Sequence, residues 1–342
     1  MKALLMKVLL LFVLMVAGFY YGPIFYNERG VPTRETATER NVVLENEEPN
    51  KIYPLPVSGF EHYIGQEIQT YTARHGDPTV IYSEENGNAA SWVYSELHRF
   101  IQLEVKDSII HSLFILGSDI QTGAIQIGMN RDNIYDETQL SRHFQFDWEG
   151  EPVSLTLTRE EWEQFPLVEF DNNSFAMLYF HPEKHEIYAV RYLSQEALIA
   201  MNYYTVKGLE MNSGVPVHKN TAQLMEHYVN AWRTENNVAP LTSSESLRDY
   251  GKQVLLTQGT NELTFNGLPS EVTEAAEKAG KTLAYNVNAG SVDAPMRFGL
   301  MQLLAEKRQL FLNAQLTDFS IVSANDNLLM VFESEGADAI DY

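Results

Sequence analysis

The chain has 342 residues, 44% hydrophobic and 20% charged, the balance of a folded protein long enough for two ordinary domains. Its 24 lysines and arginines face 46 acids, and the net charge of −22 repels phosphate backbones and anionic headgroups, so no nucleic-acid partner is expected. The absence of cysteine excludes disulfides, thiolate metal sites and a cysteine nucleophile together.

Lys2 and Lys7 precede an apolar run from Val8 to Tyr26, with no charge before Glu28. A basic flank and an apolar stretch of roughly 20 residues, enough for a bilayer core of about 30 Å, predict a signal anchor over residues 1–26. The positive flank places the rest of the chain outside the cytoplasm, with the membrane as a partner through this helix. Cleavage at Val16–Gly18 would give a secreted protein instead. The apolar run continues through Phe25, which favours the anchor. Residues 27–55 are polar and charged, bury no core, and read as a linker.

Residues 56–207 alternate short helical starts with strand-like runs, and the pattern occurs twice, over about 60–120 and 121–207. Each unit opens a helix with Ile-Gly, at Ile64-Gly65 and Ile127-Gly128, and continues into strands. Gly76-Asp77-Pro78 ends the first helix, since glycine accepts a left-handed cap and proline cannot continue a helix. Hairpins are expected around Lys106–Asp107 and around Pro182–Lys184. Two such units predict a pseudo-symmetric α+β domain with an antiparallel sheet. Residues 208–220 collect Gly, Ser and Pro without periodicity and form a second linker. A helix then opens at Thr221 with Leu224, Met225, Tyr228, Val229 and Trp232 on one face. Ser243 or Ser244 caps the next helix.

Residues 221–335 resemble the CAP superfamily of cysteine-rich secretory proteins, antigen 5 and pathogenesis-related proteins, in its bacterial branch. Asn230, Arg233, Asn236, Pro240, Leu241 and Leu247 carry the resemblance at one end, and Arg308, Leu312, Asn313, Leu316, Thr317, Phe319 and Ile321 at the other. Residues 56–207 resemble the CAP-associated N-terminal domain of bacilli, through "YIGQEI", "HGDP", "FIQLEVKDSIIHSLFILG" and "IQIGMNRDNIY". The resemblance implies a Gram-positive, Bacillus-like source and a C-terminal CAP-like α-β-α sandwich.

In that family a cleft is lined by two histidines and two glutamates, a set suited to a divalent metal. The corresponding positions here are Asn266, Tyr285, Gly299 and Lys307. Beyond Lys207 the chain holds only His218 and His227, so no shift of register supplies two cleft histidines. The resemblance therefore implies a degenerate CAP domain with no metal, no cofactor and no catalytic residue.

His181, Glu183 and His185 in "HPEKH" have a zinc-like spacing, but Pro182 makes the segment a turn, and two solvated histidines are expected there. Glu160, Glu161 and Glu163 stand at a helix start, where acids favour the dipole. "NAGSVDA" lacks the second glycine of a nucleophile elbow and reads as a loop. No phosphate-binding glycine motif occurs.

The expectation is a membrane-anchored extracytoplasmic binding or scaffolding protein, with envelope proteins or cell-wall components as partners. Two alternatives stay open: an enzyme with an atypical cleft around Lys307, Tyr285 and Asn266, and a binder of lipid or wall fragments in the CAP cleft.

Overall fold

Both Ile-Gly pairs lead the chain into a helix. Gly65 (φ +82°) and Gly128 (φ +90°) are left-handed, a conformation that a side chain would strain. Helix α1 (Ile68–His75) follows the first and α2 (Arg131–Glu137) the second. The computed structural model describes residues 54–84, 87–201, 203–208, 220–258, 282–288, 292–324 and 327–334. The Val8–Tyr26 segment and most of both linkers lie outside them. Among the described residues no helix is long and apolar enough to cross a membrane.

After α1 come β1 (Val80–Ser83), β2 (Ala89–Glu96), β3 (Arg99–Lys106) and β4 (Ile109–Leu116). The β3–β4 turn falls on Asp107 and Ser108, both at positive φ (49° and 68°), the mirror-image turn whose twist suits a hairpin. The second copy holds β5 (His143–Trp148), β6 (Glu151–Thr156), α3 (Arg159–Gln164), β7 (Leu167–Glu169), β8 (Phe175–Phe180) and β9 (Ile187–Leu193). Thr158 and Glu161 form a capping box at α3, so these acids serve the helix start as expected. Helix α4 (Gln195–Ala200) and β10 (Val206–Lys207) complete the region.

The seven-stranded sheet runs β1-β2-β3-β4-β9-β8-β7 and is antiparallel throughout, while β10, β6 and β5 form a separate sheet. The two stretches read as copies meet at β4 and β9, which pair antiparallel in the middle of this sheet. Strands β8 and β9 are buried along their whole length. One face packs Ile101, Leu113, Leu178 and Val190 against Ile68, Tyr71 and Ile134. The other packs Phe100, Phe114, Met177 and Tyr179 against the C-terminal half. Burial on both faces is why "FAMLYF" and "IYAVRYL" are near-continuous apolar runs and do not alternate.

In the C-terminal half, α5 (Thr221–Glu235) buries the predicted stripe of Leu224, Met225, Tyr228, Val229 and Trp232. Then come β11 (Thr242–Ser243), α6 (Glu245–Gln258), β12 (Thr282–Asn288), α7 (Ala294–Leu303), α8 (Ala305–Phe311), β13 (Leu316–Ala324) and β14 (Asn327–Ser334). Ser244 caps α6 by accepting from the Leu247 N–H at 3.4 Å. The four strands run β11-β13-β14-β12, with β11 parallel to β13 and the rest antiparallel. Phe319, Ile321 and Met330 share a core with α5, whereas Gly251 of α6 sits against Val322 and Val331 from the alternate positions. Helices thus flank both faces of this sheet. The class is mixed α+β with antiparallel sheets.

One core joins the two halves, and Lys51–Tyr342 form one compact unit. Met225, Val229, Met296 and Phe298 enter it from α5 and α7, each contributing roughly 1.5–3 kcal/mol by burial.

Candidate functional site

Polar contacts rim the shared core. The Tyr82 hydroxyl meets His227 Nε2 at 2.9 Å, Glu235 accepts from the Ser118 N–H at 3.1 Å, and Arg308 donates to Glu183 at 2.5 Å. Tyr228 donates its hydroxyl hydrogen to Gln102, and Gln102 donates its amide to Glu104. Ser91 also donates to Glu104, at 2.8 Å.

Beside this chain a pocket of about 360 Å3 opens in the repeat half, with Asp293 as its lining residue from the C-terminal half. Its floor carries Arg191 of β9 and Ser112 of β4, each 2% exposed. Arg191 donates from Nε to Ser112 Oγ at 2.9 Å and from Nη1 and Nη2 to the two oxygens of Asp293, at 3.0 and 2.5 Å. Burial opposes the charge on Arg191, but Asp293 overrides it and holds the guanidinium above its ordinary pKa. Asp293 also caps α7, accepting from the Met296 N–H at 3.2 Å. One carboxylate therefore starts a helix of the C-terminal half and binds a cation in the repeat half.

The pocket lining mixes charged and aliphatic residues. Glu196 of α4 accepts from Lys106 at 2.6 Å and lies 3.2 Å from His111 Nδ1. Glu84, Glu104, Ala89, Val105, Ala197, Ala200 and Met201 also line the cavity.

Of the four family positions, Gly299 and Lys307 lie with their surroundings among the described residues. Asn266 lies outside the described residues. Tyr285 lies on β12 opposite Met330, and its side chain is outside the described residues. Gly299 lies inside α7, where an added Cβ would stand 2.5 Å from Tyr179 Cε1 and 3.0 Å from Phe165 Cε1. Rings of the repeat half thus close that position. Lys307 is buried in α8, and burial lowers its pKa, opposed in part by Glu306 at 3.7 Å. Among the described residues no three His, Asp or Glu side chains are placed to hold a metal ion.

"HPEKH" is a turn, as read, but His181 is not a solvated residue. Its Nδ1 accepts from the backbone N–H groups of Glu183 and Lys184 at 3.2 and 3.3 Å, and its ring stacks on Trp232. That packing lowers its pKa through burial. His185 is exposed at φ +57°.

Arg191, Asp293 and Glu104 escaped the sequence reading. Arg191 is the one charge in the seven residues of "IYAVRYL", and such an intrusion marks a buried partner. "DAP" before an apolar run is a helix start, with Asp as cap and Pro in the first turn.

Four likenesses accompany this geometry. Residues 64–204 match the family model of the CAP-associated N-terminal domain. The uncharacterized membrane protein YlbC of Bacillus subtilis is 22% identical over 208 residues, 60% of this chain and 58% of that protein, so the chain spans little more than half of that relative's length. A cysteine-rich secretory protein from Staphylococcus aureus superposes with a TM-score of 0.70 at 18% identity, covering 82% of this chain and 97% of that one. An extracellular protein containing an SCP domain from Bacillus anthracis gives 0.68 at 17% identity, covering 90% and 100%. Residues 64–204 are thus a CAP-associated N-terminal domain, and over most of its length the chain has the fold of these bacterial SCP-domain proteins.

Proposed function

We propose that the chain is a membrane-anchored, extracytoplasmic binding module without catalytic activity, and that its ligand seat is the pocket beside the Arg191–Asp293 pair. The observation that carries this reading is the Arg191–Asp293 pair, which builds one pocket floor from both halves. A cavity of this size falls in the range of small-ligand sites, about 300–1,000 Å3. Closure of the Gly299 position by Tyr179 and Phe165 supports a fused scaffold over an open CAP cleft. The anchor and its orientation rest on Lys2, Lys7 and the Val8–Tyr26 run. The likeness to a membrane protein supports the anchor, and the likeness to a secretory and an extracellular protein supports its outward orientation.

Envelope material is the expected ligand source. The test is thermal melting of the full chain in detergent with a muramidase digest of peptidoglycan, beside Ala200→Trp, which fills the pocket mouth. At a hundredfold excess over Kd the wild type gains about 4 °C. The variant gains nothing. No gain in the wild type, or an equal gain in Ala200→Trp, overturns the reading.

A further inference from the structure

The turn between β8 and β9 reaches from the repeat half onto the C-terminal half through two side chains. The His181 ring stacks on that of Trp232 in α5, with 6.0 Å between centroids and 28° between planes. Glu183 accepts from Arg308 of α8 at 2.5 Å. Both residues beneath are buried, Trp232 at 2% and Arg308 at 6% exposed, whereas the turn is partly or fully exposed. Glu183 stands in solvent, where a single ion pair holds little. The hold of the turn therefore depends mainly on His181.

His181 Nδ1 accepts from the backbone N–H groups of Glu183 and Lys184 at 3.2 and 3.3 Å. An accepting ring nitrogen carries no hydrogen, so the neutral ring keeps its proton on Nε2. The charged ring carries hydrogens on both nitrogens, and Nδ1–H would then face two N–H donors. The ring cannot take up a proton and keep its place. Among its neighbours, burial acts most strongly against charging, Lys184 and Arg308 act the same way, and Glu183 and Glu186 oppose them. Trp232 has no charge to offer, and burial keeps the hydroxyl of Tyr188, packed on Trp232 from β9, protonated.

From this geometry we infer that residues 181–185 form an acid-released strap across the junction, closed on Trp232 and Arg308 while His181 is neutral and lifted when its ring takes up a proton. Lifting uncovers an aromatic face and a cation together. The closed turn refuses the proton, so its histidine titrates below the lifted one, whose pKa is about 6.5. Between the two values each unit of acidification raises the lifted population by up to tenfold.

The test is solvent exchange of the Trp232 indole hydrogen in the full chain in detergent, between pH 7.5 and 5, with the resonance assigned by its loss in Trp232→Phe. This N–H is buried without a hydrogen-bond partner among the described residues, so cover guards it from solvent. The Val190 amide inside β9 is the internal reference for opening of the whole fold. Corrected for intrinsic rates, indole protection is expected to fall by up to tenfold per pH unit below about 6.5, more steeply than that of Val190. His181→Asn puts a side-chain acceptor in the turn and cannot charge. Its indole is expected to be less protected at pH 7.5, for want of the stacked ring, but to follow Val190 as the pH drops. Glu183→Gln should cost about threefold in protection at pH 7.5.

Indole protection that follows Val190 at every pH in the wild type assigns the acid response to the whole fold and overturns the strap. An equally steep fall in His181→Asn overturns it too. If that variant does not fold, the ring resonances of His181 in the wild type decide: protonation that coincides with loss of indole protection supports the strap, and protonation with the indole still guarded overturns it.

Discussion

Arg191 and Arg233 are both fully buried, yet they sit in regions built to different ends. Arg191 meets the Asp293 carboxylate across the junction and borders a cavity. Arg233, at the end of α5, meets the backbone carbonyls of Ala239, Phe311 and Asn313 at 2.7 to 2.9 Å and that of Leu316 at 3.4 Å. The consequence appears in their protonation. Burial pulls Arg233 down to about 10, whereas Asp293 holds Arg191 above the ordinary arginine value. Arg233 stitches three chain segments within one half. The paired arginine joins two halves and stands at an opening. Burial alone therefore does not mark the site; the nature of the partner and the neighbouring cavity do.

The widest separation between these regions is expected from single and paired substitutions. Arg191→Met leaves Asp293 uncompensated at the junction and should cost about 3–5 kcal/mol in urea melts. Arg191→Met with Asp293→Asn should recover a good part of that loss, because Asn still caps α7 and no lone charge remains. A double variant no better than Arg191→Met would mean that the pair acts through its hydrogen bonds and not through its charge. Arg233→Met strands carbonyls and no charge, so about 2–3 kcal/mol is expected. Among the described residues it has no charged partner whose removal could rescue it. A second-site carboxylate change that rescued Arg233→Met would erase the distinction.

The parts legible in the sequence are those governed by local rules. The Ile-Gly turns, the Gly76 stop, the Thr158 capping box and the apolar stripe of α5 each depend on a few neighbouring residues. The hairpin turn at Asp107–Ser108 fell one residue from its expected place, as turn boundaries do when several polar residues adjoin. Two-faced burial of β8 and β9 was not read, because it needs knowledge of what covers the second face. The pocket was invisible for the same reason. Asp293 and Arg191 are 102 residues apart, and nothing local pairs them. The four family positions were named by resemblance, and resemblance transmits a fold more safely than a site.

Acid offers a finer comparison, between junction contacts that titrate and the Arg191 pair. His227 against Tyr82 and His181 against Trp232 are both lowered by burial, as is His75 in the repeat half. Below the ordinary histidine pKa of about 6.5 the unfolded chain takes up protons that the folded chain refuses until its lower pKa values are reached. Stability should therefore fall as pH drops from 6.5 through that window, by up to about 1.4 kcal/mol per unit for each histidine. His227→Gln and His181→Gln should each flatten the slope of melting temperature between pH 7 and 5. Arg191→Met with Asp293→Asn, which removes both charges of the pair, should leave that slope unchanged. A slope unchanged in both histidine variants would assign acid sensitivity elsewhere.

Lys307 gives the smallest and sharpest contrast, since it is a buried cation whose pKa moves the opposite way to that of Arg191. Burial lowers it and the exposed Glu306 compensates only in part. Between the lowered folded pKa and the ordinary value of about 10.4 the unfolded chain binds the extra proton, so this lysine's contribution to stability improves as pH rises through that window. At neutral pH the folded state carries the cost of the buried charge. Lys307→Met should therefore raise stability by up to about 1 kcal/mol at pH 7, with the advantage disappearing above pH 10.5. A loss in this variant at pH 7 would place Lys307 with Arg191, as a cation whose partner outweighs its burial. The closed family position would then have to be reconsidered as a built electrostatic site.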